Sequence, residues 1–573
     1  MGAAAAGGGQ VNPLNRLWNR ELTRFPSESS RYLSLGIVVL TTIVLYYQLY
    51  LSGGVATNVI RDLNMSFVYY VNISVVGYAL GAGASILAGV ADRYGRANIV
   101  TAGLAVTGLL CAFVLPAMDT KVGFAIVYIA IGFVEGIILV ATPALVRDFS
   151  PQLGRASAMG FWTLGPVLGS LVVSVVVSNS SSESTWQHQY VISGIVGLVI
   201  FALALVGLRE LSPRLRDQLM VSHKDRALIE ARAQGLDLNQ ALKHPFRQML
   251  RVDILGSAFA ISVFLITYYV AVGFFPVFFE TIFGYSQSKA NALGNWFWSF
   301  NAGGLLVVGL ISDRVRVRKP FMAVGAVSAI LFTTIFAFKA THPETSYTTF
   351  VILLSLIAVS LGTSFAPWMA SFTETVERRN PALIATGLAV WGLVIRVVIA
   401  VSVFFVPKVV TTVTPLVEEG PAVQAVLADP TPVGKTTVGK VATATAANPD
   451  VVARLKAIDA RRVPSAADET YLKTTAAQKL GAANLRALGE PSPALTKGLE
   501  TLAAEGPGVE KAAADSPKQW RTYFLVGVAG EVVFIPLIFL MAGFWDPRRA
   551  RRAEAEHEAK VAAEMEQLRG APA

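Results

Sequence analysis

Charge is scarce in this chain. Only 15% of its 573 residues are Asp, Glu, Lys or Arg, and 53% are hydrophobic. An ordinary soluble domain carries about 25% charged residues. A soluble fold this apolar has too few polar groups to cover its surface, so lipid is the simpler solvent. Cysteine is scarcer still. Cys111 stands alone inside an apolar run, which excludes a disulfide framework and a cysteine metal site. The five histidines show no metal-ligand spacing, so no metal and no cofactor is expected. A Gly-rich loop ending in Gly-Lys-Ser/Thr is missing, which argues against ATP-driven pumping, and nothing suggests an enzyme. Residues 1–32 are Gly/Ala-rich and then Arg-rich, and the first apolar run begins too late for a cleavable signal peptide.

What is present is a series of long apolar runs. A bilayer core takes about 20 apolar residues in a helix. Runs of that length lie near 33–52, 66–90, 98–117, 123–146, 157–178 and 189–208. A second six lie near 253–279, 289–312, 321–338, 348–371, 383–406 and 522–544. The expected fold is therefore all-α and integral to the membrane, with 12 transmembrane helices in two six-helix bundles. Basic residues cluster in alternate connections: Arg16 to Arg31, Arg93 and Arg96, Arg147 and Arg155, the segment 209–251, Arg314 to Lys319, Arg378 and Arg379, then Arg548 to Arg552. Lys and Arg in short loops mark the cytoplasmic side. The net charge of +10 thus reads as topology, and no nucleic-acid partner is expected. The predicted order is a cytoplasmic tail (1–32), a first bundle (33–208), a cytoplasmic loop (209–252) and helices 7–11 (253–406). An extracytoplasmic insert (407–520), helix 12 (521–545) and a cytoplasmic tail (546–573) complete it. The insert carries 13 Lys/Arg against 12 Asp/Glu between 408 and 518. Long loops cross largely regardless of charge. Helical periods at 450–462, 467–488 and 493–505 suit a small cap, and the Ala/Pro-rich composition suits a floppy segment.

The halves repeat each other. Residues 147–165 read RDFSPQLGRASAMGFWTLG and 374–392 read ETVERRNPALIATGLAVWG, which aligns Gly160 with Gly387 and Gly165 with Gly392. Asp92-Arg93 matches Asp313-Arg314 in the same way. Repeated halves are a recurrent transporter design, with the site between them near the midplane. On these residues the sequence resembles the major facilitator superfamily over about 450 positions. ADRYGR at 91–96 is similar to the family's G-x-x-x-D-R-x-G-R loop, with Ala88 in the first Gly position. The second copy, GLISDRVRVRK, has Arg316 where Gly is expected. The resemblance implies gating roles for Asp92, Arg93, Gly95, Arg96, Asp313 and Arg314. Gly165, Pro166 and Gly169 resemble the Gly-Pro stretch of exporters and join that set, although small residues also serve ordinary helix packing. Arg209 to Pro213 resembles the E-S-P motif of metabolite and sugar porters. Where drug exporters carry R-x-x-Q-G, this chain has Gly132 and Glu135-Gly136, so their proton/drug antiport does not transfer directly.

Three charged side chains fall near the midplane: Glu135 in helix 4, Arg396 in helix 11 and Glu531 in helix 12. Each costs about 2.5 to 3.5 kcal/mol on insertion scales. Glu135 reads as a proton-coupling residue or as a hydrogen-bonded packing residue. Arg396 reads as an anion anchor or as half of a structural ion pair with Glu531. Tyr46, Tyr47 and Gln48, Tyr268 and Tyr269, Asn295, Trp298 and Asn301, and Trp368 complete a candidate cavity. Substrate binding is expected from Arg396, Tyr46, Gln48, Tyr268, Tyr269, Asn295, Trp298 and Asn301. The expected function is secondary active transport of a small molecule, an organic anion or metabolite, coupled to protons as in a symporter. The expected protein is a monomer in plasma-membrane lipid. A proton-driven exporter of hydrophobic drugs and a non-transporting sensor or scaffold are the alternatives.

Overall fold

The computed structural model describes residues 20–22, 24–84, 95–149, 163–181, 184–212, 245–380, 383–460 and 463–570. The first half contains α1 (Glu28–Gly54), α2 (Ala56–Asp62), α3 (Phe67–Ala84), α4 (Arg96–Leu109), α5 (Lys121–Phe149), α6 (Gly165–Ser178) and α7 (Trp186–Gly207). The second half contains α8 (Val252–Phe264), α9 (Ile266–Phe283), α10 (Gln287–Val315), α11 (Lys319–Lys339), α12 (Tyr347–Arg379) and α13 (Ile384–Val409). Among the described residues, nine helices are long and apolar enough to cross a membrane, and α2 with α3 forms an apolar pair bent by 117° at the break between them. α6 is shorter, at 14 residues. α10 has 29 residues, ample length, but its Asn, Ser and Lys side chains make it the least apolar of the long helices in the halves.

Several helix starts are written in the sequence. Thr185, Ser286 and Ser346 precede α7, α10 and α12, and each hydroxyl accepts the amide three residues on. Those are N-caps, and they satisfy amides that the helix itself leaves unpaired. Gly284 ends α9 in the left-handed conformation, φ +62°, which glycine adopts without strain. α8 and α9 together form one span of 32 residues, interrupted at Leu265, where φ is −85° and ψ is 8°.

The segment after α13 is helical. It begins with α14 (Val413–Glu418) and continues through short helices and a two-residue antiparallel hairpin, Pro432–Val433 with Thr436–Thr437. It has apolar centres of its own, one around Val433, Val438, Val441 and Leu495, another around Val451, Ala476 and Leu480. Its last helix does not stop at the membrane. α15 runs unbroken from Pro493 to Leu537, 45 residues, or about 67 Å at 1.5 Å per residue. The boundary expected at 520/521 therefore falls inside a continuous helix. A hydrocarbon core is about 30 Å thick, so roughly half of α15 stands outside it. α16 (Pro547–Gly570) closes the described chain. The face carrying the insert is called the insert side below, and the face carrying both chain ends the terminal side.

Candidate functional site

The loop motif resemblance has a structural counterpart on the terminal side. Asp92 and Arg93 lie outside the described residues. Gly95 adopts φ +93°, and a Cβ there would lie 2.2 Å from Glu210 Oε1. The Arg96 amide donates to Glu210 Oε2 at 2.8 Å. Glu210 belongs to the Arg-Glu-Leu-Ser-Pro run, so the two sequence motifs meet at this carboxylate at the start of α4, where a negative charge is favoured. A short parallel pairing, Glu21–Leu22 with Glu210–Leu211, holds the N-terminal tail beside it. In the second half Arg316 keeps the left-handed conformation, φ +61°, at the position where the first half has Gly95. Asp313 pairs with Arg318 at 2.6 Å, and Arg318 also meets Glu374 at 3.1 Å. Arg314 is exposed.

Gly165 and Gly169 press α6 onto α1. A Cβ at Gly165 would lie 2.5 Å from Thr42, and one at Gly169 would lie 2.6 Å from Tyr46 Cβ. Pro166 occupies the first turn of α6, where its missing amide costs nothing. This stretch therefore sets the position of the helix that carries Tyr46.

Tyr46 is the centre of the site. It lies within electrostatic reach of both Glu135 and Arg396, which belong to opposite halves. Tyr269 of α9 lies within reach of Tyr46 and Arg396 as well. Tyr78 of α3 lies within electrostatic reach of Tyr269 and Glu135. Tyr50, one helical turn from Tyr46, packs beside it with ring centroids 5.2 Å apart and the rings tilted by 42°. Tyr268 packs edge-on against Tyr269 at 5.3 Å and Trp298 at 5.0 Å, and its hydroxyl lies beside Ser170 of the first half. Glu135 is 1% exposed, and neither carboxylate oxygen has a hydrogen-bond partner. Its helix crosses α3 at glycines: a Cβ at Gly136 would lie 2.5 Å from the Gly81 carbonyl oxygen. That leaves little room at the crossing for a solvating side chain.

Several expected residues lie elsewhere. Gln48 donates to the Ser193 carbonyl at 3.2 Å, inside the first half. Two residues along a helix turn a side chain by about 200°, so Gln48 points away when Tyr46 points in. Asn301 donates to the Ala358 carbonyl at 2.8 Å and ties α10 to α12. Trp368 bonds Ser257 Oγ at 3.1 Å within the second half. Tyr47 is fully buried within the first. The ion pair between Arg396 and Glu531 does not form. Glu531 instead accepts from Thr267 and Thr333, while Arg396 turns toward the tyrosines. The reason is rotational: equal depth on consecutive helices does not make two side chains face each other.

Asn295 takes a different part. It donates to Ser178 Oγ at 3.0 Å, across the two halves and toward the insert side. Asn291 bonds the Gly54 carbonyl at 3.0 Å, Ser288 bonds the Ser178 carbonyl, and Thr57 bonds Glu280. The Phe67 amide donates to Glu418 of α14 at 2.9 Å. The insert side is thus latched. Between the latch and the tyrosines lies a cavity of about 30 Å³ lined by Tyr50, Ser170, Ser174, Asn291 and Trp298, roomy enough to hold water. Glu280 lay beyond the predicted end of helix 7, and α9 reaches Phe283. Glu280 is thus a second acid, beside Glu135, on a helix at the interface.

Two helical halves that hold a polar cluster between them, latched on one side, have the build of an alternating-access membrane transporter. The chain belongs to the Major Facilitator Superfamily, whose family model matches residues 38–403 and ends before the insert. Solved structures share the fold. A bacterial homolog of the human lysosomal transporter Spinster, inward-facing and unoccupied, is similar at TM-score 0.54 and 15% identity, over 89% of this chain and 99% of that one. A D-xylose-proton symporter is similar at TM-score 0.51 and 16% identity, over 65% of this chain and 90% of that one. The Escherichia coli xylose transporter XylE, partially occluded and inward open, gives 0.50 and 16%, over 66% and 92%. A comparison with curated protein sequences finds no match. The protein is a multi-pass membrane transporter of a small molecule.

Proposed function

We propose that the chain is a proton-coupled symporter for a small organic anion or metabolite, with Arg396 as the anion anchor and Glu135 as the proton site. The observation that carries this reading is Tyr46, which lies within electrostatic reach of a carboxyl of one half and a guanidinium of the other. An Arg with no carboxylate partner among the described residues is free to bind one from the substrate, and guanidinium matches carboxylate or phosphate in a two-pronged geometry. The same overall fold supports proton symport in the D-xylose-proton symporter. Proteoliposomes test the reading directly: a library of organic anions is screened by binding, and each hit is added with a pH indicator inside. Substrate-dependent acidification supports symport. Binding without proton movement rejects the coupling, and movement in the opposite direction favours export. The aromatic lining of Tyr46, Tyr50, Tyr78, Tyr268, Tyr269 and Trp298 favours the second reading, an exporter of hydrophobic compounds, for which drug retention in a deletion strain is the test.

Arg396→Leu separates anchor from structural element. The substitution is expected to leave the melting temperature near that of the unaltered protein, because no carboxylate is orphaned. Anion affinity should fall about 10- to 100-fold, from the roughly 1.5–3 kcal/mol of a charged hydrogen bond at 1.4 kcal/mol per tenfold. Lost stability with retained affinity would reject the anchor.

We further propose a plasma-membrane monomer with both termini cytoplasmic and the insert outside. Cys111 is fully buried, so the chain offers a silent background for thiol labelling. Thr443 lies exposed on the insert. Thr443→Cys should react with an impermeant reagent added to intact cells. Labelling only after lysis would reverse the orientation.

A further inference from the structure

A second carboxyl group is buried in the membrane-spanning half of α15, away from the tyrosine site. Glu531 is fully buried, and Oε1 accepts from Thr267 Oγ1 at 3.1 Å and Thr333 Oγ1 at 3.0 Å. Oε2 has no partner. The group joins three helices: Thr267 is on α9, Thr333 on α11 and Glu531 on α15. Among the described residues no charged group faces it from α8, α9, α11 or α13.

The surroundings are built tightly around this carboxyl. Gly527 and Gly530 bring α15 onto the interrupted span. A Cβ at Gly527 would lie 2.6 Å from Thr267 Oγ1, and one at Gly530 would lie 2.2 Å from the Val263 carbonyl oxygen. The interruption is at Leu265, two residues before Thr267. Phe264 and Phe534 close over the contact with ring centroids 4.7 Å apart. Tyr268 and Tyr269, which line the tyrosine site, follow Thr267 directly.

We propose that Glu531 is an exchangeable proton site of the second half, separate from Glu135. An ionised carboxylate here would have two hydroxyl donors for one oxygen and nothing for the other, an uncompensated charge in an apolar setting. A proton on Oε2 removes that charge. Four oxygens, two of them hydroxyls, are too few to complete the usual shell of a larger cation, so the proton is the ligand that fits. Leu265 is a one-residue irregularity in a single 32-residue span, and a shift of α9 against α15 at that point would bring Oε2 to water. The proton would then leave as the helix bearing Tyr268 and Tyr269 moves. This inference rests on the proton-coupled reading, but its test uses no substrate, so the two can fail independently.

The test is infrared difference spectroscopy of the purified full-length protein in lipid nanodiscs, with pH steps across neutrality in potassium buffer and then in sodium buffer. The unaltered protein should show a carboxylic C=O band that disappears as pH rises. That band should be lost in Glu531→Gln and kept in Glu135→Gln. Should Glu531→Gln fold poorly, Thr333→Val gives the second reading: it removes one donor to Oε1 and should displace the midpoint of the same band. Absence of any Glu531-dependent band overturns the proposal. So does a Glu531 band that never titrates, which would make the residue a permanent packing acid. A Glu531-dependent response to sodium at constant pH would overturn the proton in favour of that ion.

Discussion

Glu135→Gln is expected to abolish accumulation driven by a pH gradient while sparing exchange of labelled for unlabelled substrate. The amide keeps the shape of the neutral acid and cannot release a proton. In the structure both Glu135 oxygens are unpartnered and the side chain is 1% exposed. A charge held at mid-bilayer costs about 2.5 to 3.5 kcal/mol on insertion scales, and the tight Gly81–Gly136 crossing beside it leaves little room for a compensating group. Ionisation must therefore wait for a state in which water enters, or in which Arg396 comes closer through Tyr46. Net proton-driven uptake needs that alternation. Exchange needs only the loaded carrier to reorient, so it should persist. The measurement is paired uptake and counterflow in vesicles carrying an anion identified by the binding screen. Full accumulation by Glu135→Gln would show that protons travel elsewhere and would return Glu135 to a packing role. Loss of exchange as well would show that the acid is needed for reorientation or for binding.

The parts of this arrangement that could be read from the sequence are those fixed by depth and spacing. Apolar run length pointed to membrane-spanning helices, and nine of the described helices are long and apolar enough to be such spans. Glu135 and Arg396 stood out because charge in lipid is costly wherever it points. Direction was the missing quantity. Gln48 and Asn301 are as polar as any ligand, yet each spends its amide on a neighbouring helix of its own half. A run of residues such as Tyr46-Tyr47-Gln48 does not reveal which one faces inward until a partner helix is known. Tyr50 could have been found, since it lies four residues from Tyr46 and shares its face. Tyr78 carried no such signal, because the apolar stretch around it has no polar side against which to orient. Glu531 was misassigned for the same reason: its rotation aimed it at two threonines. The continuity of α15 was hidden by Pro507 and Pro517. Both lie within the helix, which tolerates them where other groups re-satisfy the freed carbonyls.

Adding one methyl group at Gly53 is expected to hold the insert side open and stop turnover. Gly53 lies at the end of α1, where the halves touch. A Cβ there would stand 2.3 Å from the Val272 carbonyl oxygen and 3.1 Å from Gly273 Cα. Both are backbone atoms, so no side chain can swing aside to admit it, and α1 and α9 must separate. The latch beside it, Asn291 to Gly54 and Thr57 to Glu280, would then be stretched apart. Overpacking of this kind costs about 1–3 kcal/mol, and only the latched state bears the cost. A bias of that size shifts a two-state equilibrium about 5- to 150-fold. The readout is Ser170→Cys, which lines the narrow cavity behind the latch and is 3% exposed. In the presence of Gly53→Ala this cysteine should react from the insert side at a rate raised by the same factor, and transport should fall in proportion. Gly273→Ala supplies a matched control, because a Cβ there meets nothing within 4 Å. Equal labelling in the two alanine variants, with transport intact in both, would mean that the α1–α9 contact is not the gate.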